Sequence, residues 1–289
     1  MRKSLIAAGT LAFALTLGAC GEETTSGQAS PGETFTDPVS LVSAATASTE
    51  EKKSAHFTME MNMGMMSSTG EGQGIFDGEN TKMAMTMSMD MSAMGQGNMD
   101  MEMRLLDNAM YMKMPNMPGM DSSKPWIKMD LDQASGASGM DMSKAMEQND
   151  PTKALEMLKD SGDITSTEES EVNGVPATKY TIDVDVEKLM SQYGNGMDQM
   201  LDTKDMQLDT LPVEVWISDE QLPLKFTMNM GELMNKAMES SGQPMPEGMN
   251  FDDAHVSMTY SKWGEPVTVE APPASEVTSG GPGGFPGGN

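Results

Sequence analysis

Cysteine, histidine and positive charge are all scarce in this chain. Cys20 is the one cysteine, there are two histidines, and 18 basic residues stand against 44 acidic ones. With a single thiol no internal disulfide can form, so the fold must rest on its core. A formal charge of −26 repels nucleic acid and gains nothing from anionic phospholipid headgroups. Beyond the first twenty residues no apolar run approaches the length that crosses a bilayer as a helix. Enzyme signatures are missing as well: there is no G-x-S-x-G, no P-loop and no Rossmann fingerprint. His56 and His255 each begin a strand pattern and read as surface or strand-edge residues rather than bases. Asp183 with Asp185, and Asp130 with Asp132, are carboxylate pairs of the kind that bind Ca²⁺, but no glycine-spaced ligand loop accompanies them. In so acidic a chain they read as solvated strand ends. The expectation is a protein that is not an enzyme, with no catalytic residues, no metal and no cofactor.

What is present begins at Met1-Arg2-Lys3, followed by an apolar stretch over residues 4–17 and then Gly18-Ala19-Cys20. Two cations, a short apolar run and small residues before a cut are the anatomy of a bacterial secretory signal. The run is too short to remain as a membrane span. Small residues leading into the sole cysteine resemble a lipobox, where the sulfur is diacylated and cleavage leaves Cys20 as the new N-terminus. An ordinary signal whose cleavage region happens to hold a cysteine would leave that thiol without a use. Residues 1–19 are therefore expected to be a signal peptide and Cys20 the lipidation site. Acyl chains, not charge, would hold the protein on the outer face of the plasma membrane, since several chains anchor stably where one does not.

Residues 20–36 are polar, acidic and nearly free of large apolar groups, which predicts a flexible stalk. Residues 273–289, rich in Gly and Pro, read as a disordered tail. No long Pro/Gly linker divides residues 37–272, which read as one domain and a monomer.

Asp37-Pro38 is an N-cap and first-turn pair opening a helix with Leu41, Val42 and Ala45, to about Lys52. The period then becomes two. Phe57, Met59, Met61 and Met63 alternate with polar residues, as do Met83, Met85, Met87, Met89 and Met91, then Met99, Met101 and Met103, then Met110, Met112 and Met114. Such alternation is the mark of antiparallel strands with one apolar face and one wet face. Asp150-Pro151 opens a second helix through Ala154, Leu155 and Leu158, and Val186, Leu189, Met190 and Tyr193 follow helical spacing. Asn173-Gly174 between apolar runs predicts a hairpin. Further strands are expected over 213–218, 222–230, 254–261 and 266–270. Trp126, Trp216 and Trp263 read as core aromatics, with a wet rim as the alternative. The architecture is α+β, with a large curved antiparallel sheet and helices on one side.

Methionine is a mediocre strand former, and Val or Ile fits a pleated surface better, so 36 methionines ask for a reason. Three readings stand. Met replaces Leu and Val in an ordinary core, giving a structural lipoprotein without cargo. Or the face lines a cavity for flexible apolar cargo, around which Met repacks. Or the thioethers bind Cu(I), since Met-x-Met places two sulfurs on one strand face with Cα atoms about 6.6 Å apart. The predicted cavity lining is Phe57, Met59, Met61, Met85, Met87, Met101 and Met112.

Several segments resemble a known family. They are residues 54–58 (Ser-Ala-His-Phe-Thr), 110–115 (Met-Tyr-Met-Lys-Met-Pro), 124–131 (Lys-Pro-Trp-Ile-Lys-Met-Asp-Leu), 173–180 (Asn-Gly-Val-Pro-Ala-Thr-Lys-Tyr), 213–217, Leu222-Pro223 and 258–267. In this order, and together with the lipobox, they are similar to the LppX/LprG-type (LppX_LprAFG) lipoproteins of actinobacteria, over roughly residues 38–272. The resemblance implies a LolA/LolB-like half-barrel, a strongly curved antiparallel sheet whose concave apolar face is covered by helices. It implies a carrier of acylated lipid or lipoglycan, with a membrane transporter as a further partner. It brings no catalytic motif. The methionine load and the Met/Gly/Ser-rich insert at 135–146 depart from the family pattern.

Overall fold

The computed structural model describes residues 34–64, 66–77, 80–92, 95, 97–113, 122–131, 151–188, 208–240 and 250–279. Helix α1 (Pro38–Lys52) starts where the cap pair places it. The Asp37 carboxylate accepts from the Ser40 N–H at 2.8 Å, and this bond holds its carboxyl below the usual carboxylate range. Lys53 ends the helix in the left-handed region, φ 60°, with its N–H returning to the Thr49 carbonyl.

Twelve strands form one sheet: β1 (Ser54–Asn62), β2 (Ser67–Ile75), β3 (Lys82–Asp90), β4 (Asn98–Leu106), β5 (Ala109–Lys113), β6 (Trp126–Asp130), β7 (Gly162–Val172), β8 (Val175–Asp185), β9 (Thr210–Ser218), β10 (Pro223–Asn229), β11 (His255–Ser261) and β12 (Val277–Ser279). Helix α2 (Pro151–Lys159) precedes β7, and α3 (Gly231–Ser240) joins β10 to β11. The order across the sheet is β12-β6-β5-β4-β3-β2-β1-β11-β10-β9-β8-β7. Two meanders, β1–β6 and β7–β10, are thus joined by β11, which pairs with β1 on one side and β10 on the other. All pairings are antiparallel except β12 with β6, which is parallel. The α+β class and the mainly antiparallel sheet agree with the periodicity. Asn173 (φ 52°) and Gly174 (φ 82°) make the β7–β8 hairpin turn, both left-handed as a type I′ turn requires.

The helices pack over one end of the sheet. Leu41, Val42 and Ala45 of α1, Leu155 and Leu158 of α2 and Leu233 of α3 form one buried cluster with Tyr180, Ile182, Val184, Val213 and Val215. Ile182, Val184, Val213 and Val215 are 0 % exposed, and each aliphatic side chain so buried contributes about 1.5–3 kcal/mol.

One strand was missed and three expectations need correction. Strand β2 was not legible from alternation, because its apolar-face positions are Gly70, Gly72 and Gly74. Residues 266–270 form no strand. Pro266 has no N–H to give a ladder, and the carbonyls of this stretch are taken by side chains instead: Thr268 O accepts from Gln73 at 2.7 Å and Glu270 O from Arg104 at 3.0 Å. Order continues past residue 272, because the chain after a short 3-10 turn (Ala274–Glu276) adds β12 to the sheet edge. It also begins before Asp37: Phe35 is buried, its N–H donates to the Tyr180 hydroxyl at 3.2 Å, and the two rings lie 6.2 Å apart. Cys20, Asp132, Asp150, Leu189, Met190, Tyr193 and the 135–146 insert lie outside the described residues.

Candidate functional site

Facing residues of antiparallel neighbours share a face, so the register converts the methionine alternation into rows. One row reads Phe226, Met258, Met59, Gly70, Met87, Met101. The next reads Tyr260, Phe57, Gly72, Met85, Met103, Met112. A third carries Val256, Met61, Ser68, Met89 and Met99. Phe57, Met59, Met61, Met85, Met87, Met101 and Met112 therefore stand on one face of the sheet, across β1, β3, β4 and β5.

This face has two unlike halves. On β8 and β9 it is aliphatic and sealed by the helices. From β1 to β6 it is methionine-rich. Met59, Met83 and Met110 are buried there, but Met61, Met85, Met87, Met89, Met99, Met101, Met103 and Met112 are only half-buried. The two halves meet at Tyr260, whose hydroxyl donates to the Met258 sulfur at 2.7 Å.

Glycines on β2 make room between the two large rows. A Cβ on Gly72 would lie 2.5 Å from the Phe57 ring, and one on Gly74 would lie 2.8 Å from the Phe76 ring. Gly70 is less crowded: Met85 Sδ and Met59 Cε lean over it, at 3.7 and 3.8 Å from where its Cβ would stand. Ser68, further along the same face, is 5 % exposed, and its hydroxyl has no hydrogen-bond partner among the described residues. Leaving a buried hydroxyl unpaired costs about 1–3 kcal/mol. Sequence reasoning missed this strand, although glycines at every second position are a detectable signal for a strand crowded by its neighbours.

The opposite face is polar. Its rows include Thr58, Glu71, Thr86, Glu102 and Lys113, with Glu102 accepting from Lys113 at 2.6 Å. A cavity of about 440 Å³ opens here, lined chiefly by His56, Glu71, Gln73, Thr86, Glu102 and Arg104. The 265–273 segment runs beside it, tied by the Gln73 and Arg104 bonds and by Ser54 Oγ donating to Glu265 O. Trp126 is buried on this side beneath the Arg104 guanidinium, 4.7 Å from its ring centre. Trp216 is flanked by Lys179 and Lys225 at 5.5 and 5.0 Å. A hydrogen bond to Glu214 raises the Lys179 ammonium above its ordinary value. Trp263 donates to Pro223 O at 3.0 Å and packs on Tyr260 and Phe76.

The residues weighed for chemistry are dispersed. His56 faces Gln73 and Ser261 across its neighbouring strands, and His255 Nδ1 lies 2.8 Å from Asp253 O. Asp183 stands opposite Asp163, Asp185 accepts from the Lys188 N–H at 2.9 Å, and Asp130 stands opposite Ala109. Among the described residues no three His, Cys, Asp or Glu side chains converge on a metal position. Nor is any helix of the described residues long and apolar enough to cross a membrane.

No family profile matches the sequence. A 31.2 kDa protein of Streptomyces griseus, described as uncharacterized and encoded in the rplA–rplJ intergenic region, is 28% identical over 183 residues. The match covers 60% of this chain and 54% of that protein, so the chain spans about half the length of the curated relative it matches. The complex of MucA and MucB from Pseudomonas aeruginosa is similar to 77% of the chain, over 55% of the matched chain, at 11% identity and a TM-score of 0.33. LprF from Mycobacterium bovis, in its crystal structure, is similar over 81% of this chain and 96% of its own, at 12% identity and a TM-score of 0.46. Over most of its length the chain is structurally similar to LprF and to MucB.

Proposed function

We propose that the chain is a lipid-anchored envelope lipoprotein that holds the acyl part of a lipid or lipoglycan against its methionine face, in an apolar cavity of a LolA/LolB-like half-barrel. The observation that carries this reading is the contrast along one sheet face. A face built only to drive folding would be sealed throughout, at the close-packed density of protein interiors. Here the aliphatic half is sealed, whereas on the other half Met61, Met85, Met87, Met101 and Met112 are only half-buried. Unbranched, polarisable side chains suit a surface that repacks around a flexible chain. The unpaired Ser68 hydroxyl supports the same reading, since it offers one polar contact to an oxygen-bearing ligand within an apolar field.

The test is Met87→Trp, measured by organic extraction and mass spectrometry of the protein purified from its own membrane. Bound lipid is expected to fall several-fold with little change in stability, because the indole occupies ligand space. In a packed core the same change overpacks and costs about 1–3 kcal/mol. Unchanged lipid content together with that loss of stability would leave a structural lipoprotein without cargo.

Anchoring has its own test. Cys20→Ser is expected to move the protein from the membrane fraction to the medium, or to leave the signal peptide uncleaved. Normal processing with full membrane retention would remove the lipidation site at Cys20.

A further inference from the structure

We infer that the methionine face also holds a thioether site for a soft monovalent cation, Cu(I), centred over Gly70 and formed by Met59, Met85 and Met87. This goes beyond the lipid reading and does not depend on it. Met59 on β1 and Met87 on β3 both stand directly opposite Gly70, and Met85 leans over it diagonally from β3. With no side chain on Gly70, the flanking rows meet over bare backbone, and the Met85 sulfur and the Met59 methyl already occupy that gap. Met side chains reach far enough from strands two apart, about 9.6 Å between backbones, to bring their sulfurs to one ion.

The donor chemistry selects the metal. Thioethers are soft and neutral, and they favour Cu(I) over Zn²⁺ or Mg²⁺. No His, Cys, Asp or Glu cluster competes nearby among the described residues. Met258, next along the row, has its sulfur turned to the Tyr260 hydroxyl and is left out of the site. Access is open, because Met85 and Met87 are half-buried rather than sealed. A chain of formal charge −26 concentrates cations at its surface before any is bound. Methionine is also concentrated where this differs from ordinary core-building: on the sealed half the same face uses Val, Ile and Tyr.

The experiment uses the full chain, delipidated, with its methionine methyl groups ¹³C-labelled, titrated with Cu(I) under anaerobic reducing conditions. The methyl resonances of Met59, Met85 and Met87 are expected to shift together and saturate at a common equivalence point, with no response to Zn²⁺. The binding should be flat between about pH 5 and 8, because thioethers release no proton on coordination. The triple variant Met59→Leu, Met85→Leu, Met87→Leu should lose one equivalent of Cu(I) in competition with a Cu(I)-selective chelator. Leu and Met are close in volume, so the variant keeps its fold, and because Cu(I) is titrated into delipidated protein, its loss does not depend on bound lipid and the two readings fail separately. The inference is overturned if those three methyl groups do not move, if Zn²⁺ moves them equally, or if the triple variant retains the full Cu(I) stoichiometry.

Discussion

Gly72→Val is expected to destabilise the methionine half of the sheet by about 3 kcal/mol or more, a large share of the roughly 5–15 kcal/mol by which a domain is stable. The reason is on both sides of the glycine. A Cβ there would stand 2.5 Å from Phe57 Cζ and 2.6 Å from the Ala84 carbonyl oxygen. The Phe57 ring is buried against Tyr260, with centroids 6.5 Å apart, and has little freedom to withdraw. The Ala84 carbonyl belongs to β3, and moving it disturbs the β2–β3 pairing. The general β preference of Val over Gly works in the opposite direction, by at most about 1 kcal/mol. Gly97→Ala is the control, since nothing lies within 4 Å of its Cβ position. Urea titration of both variants checks this: a midpoint for Gly72→Val equal to that of Gly97→Ala would show that Phe57 yields freely.

Much of the sheet could be read from period two, because alternation survives wherever one face is apolar and the other wet. The strands that carry Met59, Met85, Met101 and Met112 fall where alternation puts them. The Asn173-Gly174 hairpin and the Asp37-Pro38 cap are local devices whose geometry depends on a few neighbouring residues, and both were legible. Strand β2 was not, because its glycines answer to side chains on other strands. Phe57 and Met85 explain Gly72 and Gly70 only once register is known. The same holds for residues 265–273, whose carbonyls are held by Gln73 and Arg104 from far along the chain. Sequence placed the candidate methionines on strands. It could not divide their face into a sealed half and a half-buried one, because that division depends on where α1, α2 and α3 come to rest.

Tyr180 should show the second large effect, at the centre of the sealed half. It is 1 % exposed, lies within the cluster of α1, α2 and β9, and accepts the Phe35 N–H at 3.2 Å. Tyr180→Ala removes a large buried ring and is expected to cost about 3–5 kcal/mol. Tyr180→Phe keeps the ring but leaves the Phe35 N–H without its acceptor, for about 1–3 kcal/mol. It should also loosen Phe35 from the buried cluster. The wild type and Tyr180→Phe differ in a second way. Burial raises the Tyr180 phenol above its ordinary value of 10.0, with the Phe35 N–H opposing this. The unfolded chain therefore loses this proton first as pH rises. The stability linked to it is fully present below about pH 10 and is lost as pH climbs towards the folded value. Raised lysines such as Lys179 decline in the same direction, so the informative quantity is the difference between chains. Between about pH 8 and 11 the wild type should lose more stability than Tyr180→Phe, measured as the urea midpoint at each pH. Parallel declines in the two chains would mean that the Tyr180 phenol ionises as readily in the folded core as in the unfolded chain.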